Sequence, residues 1–156
     1  MKKFIFTAIF TFSILFSGNL IAQDYNSSVG VRLAFGLTAT YKKEFKENTY
    51  LELYGGFGYH TIFGGGALEI HKEIEDVDHL YWYYGAGAFA GYYSSNLISD
   101  NYFYMGINGV IGVDYSFEEI PLNVSVDWMP GFRLVGGFTP TFLGGGLSAR
   151  YILSRN

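Results

Sequence analysis

The sequence predicts an all-β fold, a closed eight-stranded antiparallel up-and-down barrel that crosses a membrane, and three observations carry that prediction. Apolar and polar residues alternate with period two along the chain after residue 22, and helical periodicity competes nowhere. The chain is rich in glycine and rings, with 21 Gly, 14 Tyr and 15 Phe, yet only 15% charged, against about 25% in an ordinary soluble domain. Its first 22 residues have the layout of an export leader.

In that leader Lys2 and Lys3 supply a positive start and Phe4 to Phe16 is an uncharged, mostly apolar run. Ser17-Gly18-Asn19 breaks the run, and Ala22-Gln23 offers a small residue at a cleavage point, as in a secretory signal peptide. The apolar run is too short for a spanning helix, which needs roughly 20 residues. Residues 1–22 are therefore expected to be removed and residues 23–156 to form one exported domain. With no cysteine in the chain, lipid attachment and disulfides are excluded, so the domain is held by its own core or by a membrane. No later stretch reaches 18 apolar residues, which excludes a helical span. The formal charge of −4, without a basic patch, argues against a nucleic-acid partner.

The strands follow in order. Over 28–35, Val29, Val31, Leu33 and Phe35 alternate with Gly30, Arg32 and Ala34; over 37–46, Leu37, Ala39 and Tyr41 oppose Thr38, Thr40 and Lys42. Parity does not change at residue 36, so these two strands could merge. The third, 49–58, sets Leu51, Leu53 and Phe57 against Glu52, Tyr54 and Gly56, and the fourth, 62–73, sets Leu68 and Ile70 against Glu69 and His71. The fifth, 80–92, holds Tyr81 to Tyr84 and a run of small residues. The sixth, 102–117, places Met105, Ile107, Ile111, Val113 and Tyr115 against Gly106, Asn108, Gly112 and Asp114. The seventh, 121–133, alternates Leu122, Val124, Val126 and Trp128 with Asn123, Ser125 and Asp127, and the eighth, 142–153, ends with Leu147, Ala149 and Tyr151 against Ser148 and Arg150. Polar clusters at 46–48, 75–78 and 118–121 separate these runs, alternating with breaks at 59–60, 94–100 and 135–140. Eight strands make a barrel whose interior side chains just fill it, and an even number returns both termini to one side.

The polar set, with Arg32, Glu52, Glu69, Asp114, Asp127 and Arg150 interleaved with glycines, is assigned to the interior, and the apolar set to lipid. Glycine weakens an exposed strand, whereas a narrow lumen needs small residues beside large ones. Ring clusters at Phe45 and Tyr50, Tyr81 to Tyr84, Tyr92 and Tyr93, Tyr102 to Tyr104, and Tyr115 and Phe117 are expected to form girdles at the two membrane boundaries.

The run Tyr81-Trp82-Tyr83-Tyr84-Gly85-Ala86-Gly87-Ala88, the segment Ile120 to Phe132 around Asp127-Trp128, and Gly144 to Tyr151 resemble small eight-stranded outer-membrane barrels of Gram-negative bacteria. The resemblance spans nearly the whole mature chain. It implies an outer-membrane location and, as partners, outer-membrane lipid, the barrel-assembly machinery and periplasmic chaperones, with the protein a monomer. Many such proteins end on an aromatic residue, whereas this chain runs Tyr151-Ile152-Leu153 and then Ser154-Arg155-Asn156.

Other motifs carry less. Gly85, Gly87 and Ala90 match a dinucleotide-binding spacing but precede no helix that would hold a pyrophosphate. The triplets Gly64 to Gly66 and Gly144 to Gly146 suit a sharp bend or a close strand approach. His71, Glu73, Glu75, Asp76, Asp78 and His79 match no zinc or calcium spacing and read as a solvated acidic turn. The interior charges read as a paired network, with Arg32 and Arg150 brought together by closure and sharing Glu52, Asp114 and Asp127, because buried charges cost several kcal/mol unless paired.

The function expected is structural, with a filled lumen, no cofactor and no catalysis. Two alternatives stand beside it. Rings at Tyr92, Tyr93 and Tyr102 to Tyr104 suit binding or passage of small apolar ligands, and the interior charges suit an ion path. A lipid A-modifying enzyme would need a rim nucleophile; His60, Ser94, Ser95, Ser99 and Asp100 are placed there but reproduce no catalytic motif.

Overall fold

A computed structural model of the chain describes residues 25–34, 36–94 and 101–155. The leader, and Ser95, Ser99 and Asp100, lie outside the described residues. The chain forms β1 (Tyr25–Leu33), β2 (Leu37–Lys46), β3 (Thr49–Gly58), β4 (Thr61–Glu73), β5 (Leu80–Ser94), β6 (Asn101–Ser116), β7 (Leu122–Val135) and β8 (Thr139–Arg155). Each strand pairs antiparallel with the next, and β8 pairs with β1, so the sheet closes on itself and, among the described residues, leaves no strand edge open. The alternation is what makes this possible, since each strand then has one wall for the lumen and one for the outside.

The polar clusters are where the chain turns. Glu47 and Asn48 join β2 to β3, with Asn48 at a left-handed φ of 56° that its short side chain tolerates. Tyr25 pairs with Arg155 at this end, referred to below as the termini end. Strands β1 and β2 do not merge; Leu33 pairs with Leu37 across a tight connection at the far end. The strand β1 begins three residues before the alternation suggests, because register shifts between Tyr25, Ser27 and Ser28 reset its parity, and both Tyr25 and Ser28 are buried. The β7–β8 ladder shifts between Trp128 and Pro130, beside Gly144, whose φ of +74° suits glycine. The dinucleotide-like glycines lie inside an unbroken β5.

The outer wall is apolar. Val29, Val31, Leu53, Leu68, Ile107, Ile111, Val126 and Leu147 are all more than 40% exposed. The inner wall holds Lys42, Glu52, Glu69 and Arg150, each fully buried. The rings do not all face outward. Trp82 and Tyr84 stack on the outer wall, whereas Tyr81, Tyr83 and Tyr50 are buried in the lumen, since neighbouring residues of a strand point to opposite faces. Glycine supplies their space: a Cβ on Gly112 would lie 2.6 Å from Cζ of Tyr83.

Candidate functional site: the charged lumen and the cavity above it

The lumen holds a core of ion pairs whose members come from strands that are not neighbours. Arg150 on β8 donates from Nη2 to Glu52 Oε1 on β3 at 2.6 Å, and from Nη1 to Ser125 Oγ on β7 at 2.7 Å. Thr40 on β2 donates its hydroxyl to the same Glu52 carboxylate. Arg32 on β1 grips Asp127 on β7 through Nε and Nη2, with Nε to Oδ1 at 3.1 Å, and the Tyr83 hydroxyl reaches Asp127 Oδ2 at 3.3 Å. Lys42 on β2 meets Glu69 Oε2 on β4 at 2.7 Å and lies 4.2 Å from the Tyr83 ring centroid. Asp114 on β6 accepts from Asn123 Nδ2 at 2.7 Å and from the Tyr25 hydroxyl at 3.2 Å.

All six residues singled out from the sequence, Arg32, Glu52, Glu69, Asp114, Asp127 and Arg150, are thus buried inside the barrel, none more than 5% exposed. The two arginines do not share an acid. Arg150 lies opposite Gly30 and Arg32 opposite Ser148, so their guanidinium groups sit at different levels and each meets the carboxylate at its own height. Lys42 belongs to this network as fully as the arginines, and its parity with Thr38 and Thr40 was the available signal. His71 also departs from the acidic-turn reading. It points into the lumen, its Nε2 is 3.0 Å from Glu69 Oε2 and its ring stacks on Tyr83 at 4.7 Å, whereas Glu75, Asp76 and Asp78 are exposed in the turn.

Below this core Tyr25, Tyr50 and Ile152 pack together and close the termini end, with the Tyr50 hydroxyl donating to the Tyr25 carbonyl at 2.7 Å. Above it lies a cavity of about 430 Å³ lined by Arg32, Tyr54, Phe63, Phe89, Tyr104 and Met129, which reaches the surface at the exposed Tyr59 of the far end. Comparison of the chain with family models, curated proteins and solved structures finds no match. Of the rim residues considered for catalysis, His60 sits in the β3–β4 turn, where its carbonyl accepts from the Ser94 N–H at 2.9 Å.

Tyr83 joins the two halves of the network, so its hydroxyl and its ring are separable. Tyr83→Phe keeps the stack on His71 and the contact with Lys42 but removes the bond to Asp127; it should lower stability by about 1 kcal/mol. Tyr83→Ala should cost about 3–5 kcal/mol through the void it leaves. Equilibrium urea unfolding of the two variants side by side checks the order.

Proposed function

We propose that this protein is an integral outer-membrane β-barrel of structural function, with a lumen sealed to ions. The observation that carries the reading is the inverted distribution of polarity: an apolar outer wall around fully buried Lys42, Glu52, Glu69 and Arg150. Water would reverse such an arrangement, whereas a bilayer requires it. On the outer wall the charged strand residues are Lys43, Lys46, Lys72 and Arg155, all near the termini end, and among the described strand residues the band of this wall above them carries no charge. Arg133 of β7 shares the inward parity of Asp127 and Met129 and lies over the Tyr104 ring. From Phe103 to Tyr115 strand β6 rises about 40 Å at ~3.3 Å per residue. Tilted as membrane strands are, at ~35–45°, that is about 30 Å of height, matching the hydrocarbon core. Rings flank this band, with Tyr115 packed on Phe117 at one end and Phe132 on Phe138 at the other.

The sealed lumen is supported by the zero exposure of its central charges and of Tyr25 and Tyr50 beneath them, because a water-wide path would have to touch these atoms. Fractionated cells should hold the mature chain in the outer membrane, with heat-modifiable migration on a gel. Refolded protein in a planar bilayer should give no stepwise conductance. Recovery as a soluble protein without detergent would sink the membrane reading, and discrete conductance steps would sink the sealed lumen.

A further inference from the structure

The cavity at the far end differs in chemistry from the ion pairs beneath it. Rings and a thioether make its walls, through Tyr54, Phe63, Phe89, Tyr104 and Met129, and Arg32 is the one cationic side chain among its described lining residues. At about 430 Å³ it lies within the ~300–1,000 Å³ of small-molecule sites, which pair a mostly apolar lining with few fixed polar groups.

Arg32 is 5% exposed, and its bonds are one-sided. Nε and Nη2 are committed to Asp127, while Nη1 makes no hydrogen bond among the described residues. A guanidinium carries five donors in a rigid fork, so engaging one edge leaves donors on the other. The lumen's charge balance limits what can take them. The buried cations Arg32, Lys42 and Arg150, with half-buried Arg133 over the Tyr104 ring at the mouth, match in number the buried acids Glu52, Glu69, Asp114 and Asp127, so an added anion would leave the lumen net negative. A further anion beside Asp127 would be repelled and desolvated together. An uncharged oxygen would not.

We propose that this cavity binds a small uncharged amphiphile, an apolar body bearing one hydrogen-bond-accepting oxygen, with the oxygen on Arg32 Nη1 and the body against Phe63, Phe89 and Met129. The site goes beyond the structural reading and is independent of conductance, since a sealed barrel and a leaky one can each hold a ligand at the mouth.

The full mature chain, refolded into phospholipid vesicles and verified by heat-modifiable migration, would be titrated with 2-decanone, decane and decanoate at pH 8 by calorimetry against protein-free vesicles. One saturable 2-decanone site per barrel is expected. Decane should bind roughly ten-fold or more weakly, as loss of a hydrogen bond to a charged group implies, and decanoate should bind no tighter than the ketone. Met129→Trp should fill the floor and abolish binding. The double variant Arg32→Met/Asp127→Leu, which strands no charge, should still bind but lose the preference for ketone over decane, and it decides the matter if the tryptophan variant does not refold. Absence of a saturable site, equal affinity for decane, or tighter binding of decanoate would each overturn the proposal. So would a double variant that keeps the parent's preference.

Discussion

Arg150→Met should lower the unfolding free energy of the barrel by about 3–5 kcal/mol, the cost of breaking a buried pair from one side. The side chain is fully buried and touches Glu52, Thr40, Asn123 and Ser125. Its loss leaves the Glu52 carboxylate in a site water does not reach, accepting from Thr40 alone among these partners. Adding Glu52→Gln should recover much of the deficit, so that the double variant costs less than the two single changes together. Urea-driven unfolding from vesicles, read by loss of the heat-modifiable band, measures all three. Additive single effects would show that the two charges are separately solvated, and the lumen would then have to hold water.

How much of this was legible beforehand depends on which physical scale sets it. Alternation with period two and polar breaks are local, and they place all eight strands; the departures fall at β1 and β8, where register shifts change parity or lengthen a strand. The face of each charge is also local, and parity assigns it. The partner of each charge is not. Arg150 meets Glu52 rather than an acid shared with Arg32 because strand register sets the height of each side chain, and a one-strand pattern carries no register. The rings of Tyr81 to Tyr84 illustrate a different loss. Their clustering suggests a girdle, but alternate members fill the lumen and leave only Trp82 and Tyr84 outside. The cavity has no sequence signature, since it arises where side chains from several strands fail to meet.

Val126→Arg should destabilise the vesicle-embedded barrel by about 2–4 kcal/mol, the penalty for a guanidinium near the bilayer midplane. Val126 is 54% exposed in the middle of β7 and pairs with Val113 and Leu147, themselves exposed apolar residues, so no acid is at hand to take the charge. Lys43→Ala, on the same wall but close to the termini end, should change stability by no more than about 0.5 kcal/mol, as surface substitutions usually do. Folding titrations of both variants in vesicles give the comparison. A neutral result at Val126 would mean that this wall faces water. Labelling of a cysteine placed there by a water-soluble reagent would then be fast.

The ion pairs of the lumen also make assembly an all-or-none event. Arg150 belongs to β8 and its acid to β3; Arg32 belongs to β1 and its acid to β7. No consecutive run of strands therefore neutralises its own charges. A sheet that lacks its last strand carries Glu52 without its arginine, and one that has slipped by a residue turns the lumen charges toward the outer wall. Partial sheets are thus penalised before they can persist, and the correct register is the arrangement in which every inward carboxylate meets a donor. The same contacts that occupy the interior act as a check on completion, passed only when the first and last strands have met.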